Sequence, residues 1–426
     1  MKKSALLHAA SLSVLLGLVS CGGGSTSSTT APSKLTERVF ASQSASSPTA
    51  FGGLVLIDGQ FDTVGRGGVS TGGAPGLMAV SPNRATLVAF DLLTNKVDVV
   101  NTSKETVTGT IQLQGLTTSM VVPQPAIGYA AVPSAPLIGF SPGAVLQMNL
   151  TSGGIAATIS VPGAQTVVSN STGSQLLAFS NDSNAVTVVT PASLNTPTPA
   201  TVLVPGFDRP VYGIFNSDGS QAYILNCGAE CMGTQASVQI LNLTTSPPTA
   251  GAAVAVDAAT IGLISGSTLY VAGTPPTNNP CTGENTAATT CGRLDIVDLS
   301  SMTVTNKYVI TDGYHDRIDM GNGAQLFIGS HTCTNIGDVN NVTGEVRGCL
   351  SILNTTNGNI VIPPDNGDVT GLQNFSSRQV EYVAEGGNLR VYYTVTDELL
   401  TNYQYISTGT IVLPGYITDV KAVDFF

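Results

Sequence analysis

The sequence predicts an all-β protein made of one repeated unit, and three observations point there. Thr, Val and Ser are among the commonest residues of a chain in which only 10% of residues are charged, 47 of 426 are Gly and none is Trp. That composition favours pleated strands and tight turns over helices. No long amphipathic helical pattern occurs anywhere. A short strand with a bulky second or third residue recurs, as RVFAS, ATLVAF, GYAAV, QLLAFS, AYILN, LYVAG, LFIGS and RVYYTV. Aligned on Phe40, Leu87, Tyr129, Leu177, Tyr223, Tyr270, Phe327 and Tyr392, the spacings are 47, 42, 48, 46, 47, 57 and 65. A fixed period of this size marks a repeat architecture.

Each unit follows one plan. An apolar strand a, such as GLMAVS or VYGIFNS, leads to a turn carrying Gly, Asn or Asp, such as SDGSQ, GNGAQ or EGGN. These residues tolerate the positive φ that tight hairpins need. The anchor strand b follows. Strand c ends in a polar turn, as in VDVVNTSKE, VLQMNLTSG, VQILNLTTS, LDIVDLSSM and LSILNTTNG. Asn or Asp followed by Thr or Ser starts such a turn by accepting its own backbone N–H groups. A strand d then closes the unit, as in VTGTIQLQG and TNKYVITDG.

Repeated four-stranded units of this length predict a single β-propeller domain. The units resemble the YVTN family of propeller repeats, most closely in LYVAG at 269–273 and LDIVDLSSMTVTNKYVI at 294–310. AIGYAAVPSAPLIGF departs furthest from that pattern. The resemblance implies a fold and leaves function open. YITDVKAVDFF at the end reads as a strand a with no successor. ERVFAS and GGLVLIDGQFDTV at the start read as b, c and d with no a. Joining them hides two free edges, so eight blades are expected, with seven as the alternative.

The N-terminus addresses the compartment. MKK is a short cationic start, and ALLHAASLSVLLGLV is an apolar stretch too short for an ordinary spanning helix. Leu18-Val19-Ser20-Cys21 resembles the bacterial lipobox. The resemblance implies a signal over 1–20 and a lipid on Cys21, and Gly22 rather than Asp implies the outer membrane. Residues 21–35, with GGGSTSSTTAPS, read as a flexible tether, and 36–426 as the propeller. The expected location is the cell envelope, lipid-anchored, either periplasmic or surface-exposed. The net charge of −11 argues against nucleic acid as a partner.

Six cysteines remain, as Cys227/Cys231, Cys281/Cys291 and Cys333/Cys349. Each pair falls between strands b and c of its own unit, where the flanking strands bring the loop ends close. An oxidising compartment then favours three local disulfides. Zinc is the rival, through His331 and Cys333 with the CGAEC thiols, but no spacing fits a known zinc arrangement. In a four-stranded blade the b–c and d–a connections share one face, so the stapled loops and the working surface are expected there.

YHDRID, Tyr314 to Asp319, is the densest polar cluster. FDRP at 207–210 and SSRQ at 376–379 read as similar d–a crossings. Arg209, Arg317 and Arg378, with Tyr314 and His315, are therefore candidates to bind a small anion at the channel mouth, because guanidinium matches carboxylate and phosphate. The alternative is that Asp208, Asp316 or Asp319 pairs with these arginines and ties blades together. His315 is a candidate general base with Asp316 orienting it, although neighbours on a strand face opposite ways. No G-x-S-x-G elbow or metal-protease helix motif is present. Absence of Trp argues against quinone-cofactor propellers, and few aromatics argue against a sugar platform. No cofactor is expected beyond calcium, for which Asp338, Asn340 and Glu345 offer hard oxygen ligands without the EF-hand pattern. The expected role is a binding or scaffold module engaging an envelope protein or a small anionic ligand. The alternative is a lactonase-like propeller hydrolase.

Overall fold

Alternation along each strand decides how the units assemble. In RVFASQS, Val39 and Ala41 turn to one neighbouring sheet and Phe40 to the other. Strands buried on both faces need a sheet on each side, and a closed ring supplies one to every unit. A computed structural model describes residues 33–44, 52–192, 198–277, 281, 290–334, 348–363, 367–375, 377–395, 398–399, 410–413 and 415–424. The signal, Cys21 and the calcium candidates Asp338, Asn340 and Glu345 lie outside the described residues.

The described strands form eight antiparallel sheets in a ring. The protein is an eight-bladed β-propeller. Blade 1 joins the two ends of the chain: Tyr416–Ala422 is its strand a, beside Arg38–Ser44, Gly53–Asp58 and Thr63–Val69. Arg38 clamps the closure, with Nε and Nη2 each 2.7 Å from the Asp424 carboxylate. Blades 2 to 7 begin with strands a at Pro75–Val80, Ser119–Gln124, Ala164–Ser169, Pro210–Phe215, Ile261–Ser265 and Tyr314–Met320. Blade 8 starts at Val369–Phe375, and a short extra strand, Thr410–Ile411, pairs with its strand c. No α-helix occurs among the described residues, and Gly228–Cys231 forms a single 3-10 turn.

The core is divided as the ring is. Eight buried apolar clusters fill the eight seams between neighbouring blades. The anchor residues Phe40, Leu87, Tyr129, Leu177 and Phe327 all sit in these seams, fully or almost fully buried. The polar c–d turns form as expected. Asn149 Oδ1 accepts the N–H groups of Thr151 and Ser152 at 3.0 Å, and Asn242, Asp298 and Asn354 each accept a backbone N–H two residues on at the same distance.

Blade 8 corrects the expected register. RVYYTV belongs to strand c, Asn388–Tyr393, and strand b is Val380–Glu385. Tyr382 therefore holds the anchor place, which shortens the last spacing from 65 to 55, close to the 57 before it. Gly386 and Gly387, both at positive φ (56° and 79°), make a two-residue b–c hairpin rather than an a–b turn.

Strands a line the central channel and touch one another around the ring. Six of them carry a bulge near their start. The register shifts at Pro75/Met78, Ala164/Thr166, Pro210/Tyr212, His315/Arg317 and Val369/Gly371, and at Ser42/Gln43 opposite the strand a of blade 1. A bulge leaves one residue out of the ladder and re-aims its side chain. In blade 7 that residue is Asp316.

Candidate functional site

The b–c connections of blades 5, 6 and 7 each contain one disulfide. Cys227–Cys231, Cys281–Cys291 and Cys333–Cys349 have Cα separations of 5.6, 5.3 and 5.5 Å. All six sulfurs are thereby used, which removes them as zinc ligands. Among the described residues no group of His, Cys, Asp and Glu is arranged to hold a metal.

On the same face, the channel mouth opens into a cavity of about 580 Å³. Inner strands of six consecutive blades, 2 to 7, wall it. Leu77, Met120, Val121, Val168, Phe179, Tyr212 and Ile261 supply the apolar side. Asp316, Arg317 and His331 are the charged or chargeable lining groups besides the tyrosine hydroxyls of Tyr314 and Tyr212, and all but Tyr212 belong to blade 7.

The bulge creates this arrangement. The Asp316 carboxylate lies 2.9 Å from Arg317 Nη1 and 3.6 Å from His331 Nδ1. Arg317 also donates from Nη1 to its neighbour's carbonyl, Asp316 O, at 2.9 Å and from Nε to Thr370 O of blade 8 at 2.8 Å. Its guanidinium is thus fixed across the seam between the two blades. The Tyr314 and His331 rings lie 5.2 Å apart, tilted by 50°. The Asp316 carboxylate, an ion-pair partner at 3.6 Å, raises the His331 pKa above its ordinary value, against burial, and the Asp368 charge adds to the rise. Burial, then the Asp316 and Glu230 carboxylates, push the Tyr314 hydroxyl up to about 12, so it remains a donor. Glu230 comes from the Cys227–Cys231 turn and accepts the Thr274 N–H at 2.9 Å. Burial pushes its carboxyl up to about 8, which leaves it mostly neutral at pH 7.

The expected candidates divide. Tyr314, Asp316 and Arg317 meet at the cavity. His315 does not. It is fully buried on the other side of the strand, and burial pushes its pKa down to about 4 against the Asp316 charge and the Thr311 backbone. The expected pairing of His315 with Asp316 is therefore corrected: strand alternation turns them apart, and Asp316 faces His331 instead. His331, considered only as a zinc ligand, is the residue missed at this site. It ends strand b directly opposite Tyr314. Its signal was the tripeptide HTC, which sets it beside the Cys333 staple.

Arg209 lies in the expected d–a crossing but outside the cavity, with Nη1 3.0 Å from Asp182 of blade 4. Arg378 is corrected more sharply. The register of blade 8 puts it in the a–b turn, on the face opposite the staples. There Nη1 and Nη2 meet the Asp62 carboxylate of blade 1 at 2.6 Å each, and Tyr382 donates to the same buried carboxylate. Arg378 ties blade 8 to blade 1.

No protein-family model matches the chain, and no curated protein matches it either. Solved structures do. The dihydro-heme d1 dehydrogenase NirN in complex with DHE is similar at a TM-score of 0.59 and 10% identity, over 93% of this chain and 76% of that one. The C-terminal WD40 domain of Sif2 is similar at 0.57 and 8%, over 82% and 90%. A provisionally assigned 6-phosphogluconolactonase from Bacteroides fragilis is similar at 0.52 and 12%, over 91% and 98%. Identities this low show the shared propeller fold alone.

Proposed function

We propose that this protein is a lipid-anchored, exported propeller that acts as a binding module, with the channel mouth of the stapled face as its seat of recognition. One observation carries the reading. A cavity of about 580 Å³ opens on that face, lined by mixed apolar and polar side chains and charged on one side. Ligand pockets have this size and this mixture, and loops held by a rigid scaffold are where binding concentrates. The three disulfides support an oxidising, extracytoplasmic compartment. Anchoring rests on the lipobox-like Leu18–Cys21, and outer-membrane location on Gly22.

Thermal-shift screening of the full chain against a metabolite panel tests the reading, with Gln165→Trp as the cavity-blocking variant. A ligand at about 100 times its Kd stabilises by about 2.7 kcal/mol, a shift of several degrees. Shifts that vanish in Gln165→Trp support the cavity. Shifts that persist in it move recognition elsewhere. Palmitate labelling that is lost in Cys21→Ala tests the anchor.

A second reading, lactonase-like hydrolysis, draws on the Asp316–His331 pair, since a carboxylate beside an imidazole can orient a general base. Lactone turnover abolished by His331→Ala would favour it.

A further inference from the structure

The charged side of the cavity has an unusual balance for so acidic a protein. Asp316 is matched by Arg317, to which it is bonded. Protonated His331 then leaves the lining itself with one net positive charge, with the Asp368 carboxylate of blade 8 outside the lining but facing that imidazole. Glu230, close behind Tyr314, is held largely neutral at pH 7. Three donors remain. Arg317 uses Nε and Nη1, and its Nη2 has no partner among the described residues. His331 Nε2 and the Tyr314 hydroxyl likewise have none there. The rest of the lining carries no charged group: Met120, Val121, Phe179 and Ile261 offer apolar surface, and Ser119, Gln165 and Asn181 stand among them. The site therefore has anion-seeking donors on blade 7 and uncharged, partly apolar walls elsewhere.

Resting on the reading of the cavity as a ligand site, we propose that its ligand is a small organic carboxylate with an apolar or aromatic body. The carboxylate meets Arg317 Nη2, His331 and the Tyr314 hydroxyl, and the body lies against the apolar wall. Charge-assisted bonds from guanidinium and imidazolium are the strong kind, and a neutral analogue leaves those donors unpaired. Capture depends on pH through His331. The groups facing that imidazole are Asp316, Arg317 and Tyr314 of its own blade and Asp368 of blade 8, with His315 behind the strand. Its raised pKa keeps it charged at and somewhat above pH 6.5, so affinity falls as pH rises through that pKa.

Isothermal titration of the full chain with 4-phenylbutyrate, 4-phenylbutyramide and acetate tests the proposal at pH 6 and pH 8.5. The acid should bind one site at pH 6 about tenfold more tightly than the amide, and acetate should bind far more weakly. Acid affinity should fall about tenfold between pH 6 and pH 8.5, and His331→Gln should flatten that dependence. Arg317→Gln should erase the preference for acid over amide while the amide still binds. Equal binding of acid and amide, both lost in Gln165→Trp, overturns the proposal and leaves the cavity a ligand site of another kind. Absence of heat from the acid at both pH values also overturns it, and the metabolite panel then judges the broader reading separately.

Discussion

His315 and His331 are the same side chain in opposite surroundings. His315 is sealed in the seam of blades 6 and 7 and is held neutral, its pKa near 4. His331 sits at the channel mouth beside a carboxylate that favours its charge. For His315 the unfolded chain binds the proton more readily than the fold does. Its contribution to stability is therefore complete above pH 6.5 and is lost as pH falls from there toward 4. A shift of that size amounts to roughly 3 kcal/mol. In His315→Gln, urea midpoints at pH 7 and pH 4.5 should differ less than in the wild type by most of that energy. Equal differences would mean that another group drives acid unfolding. The residues of this site were legible as a cluster in YHDRID. Their partners were not, because one unpaired residue at Asp316 decides which side chains on either side of it face the channel.

At the scale of single elements, the staples and hairpins show which local signals carry structural meaning. Cysteine pairs within one b–c connection bond within it, because the strands at the loop's ends are already neighbours. The chain-entropy model scales their effect with loop size. Replacing Cys333 and Cys349 by Ser, 16 residues apart, should cost about 3 kcal/mol in equilibrium urea unfolding. The same change at Cys227 and Cys231, 4 residues apart, should cost about 2 kcal/mol. The reverse ranking would indicate that the staples act through native packing rather than through the unfolded chain. Blade 8 shows where local signals mislead. EGGN suits an a–b or a b–c hairpin equally well, and VEYVAE and RVYYTV have equal claims to be the anchor strand. Only pairing against VTGLQNF distinguishes them. That ambiguity moved Arg378 to the wrong face.

For the whole molecule, closure is the controlling feature. Val39 to Ser44 pair with Tyr416 to Ala422 within blade 1, and the seam between this blade and blade 8 buries Val39, Ala41, Tyr382, Ile417 and Val420. A chain truncated before Tyr416 would expose one long edge and open two apolar seams, the conditions under which sheets join edge to edge. Size-exclusion chromatography should show larger assemblies or loss of soluble protein in place of the peak of the full-length chain. A truncated chain that elutes as the full-length chain does and unfolds cooperatively would mean that seven blades suffice. The ring also explains why a cavity lies at its mouth. Eight strands a converge there, so a cavity forms from residues spread over most of the chain.

Composition, period and turn chemistry were enough to establish the propeller and to favour eight blades with a split closing blade over seven, and with the export signal they pointed to the three staples; the structure decided the count. Each of these depends on short-range rules: alternation over two residues, hairpins over a few, and loop ends already held together. The cavity, the contact of Asp316 with His331 and the isolation of His315 depend on bulge positions and on how neighbouring blades lean together. Those are set by packing between residues far apart in the chain, and a shift of one residue in a strand exchanges its buried and open faces.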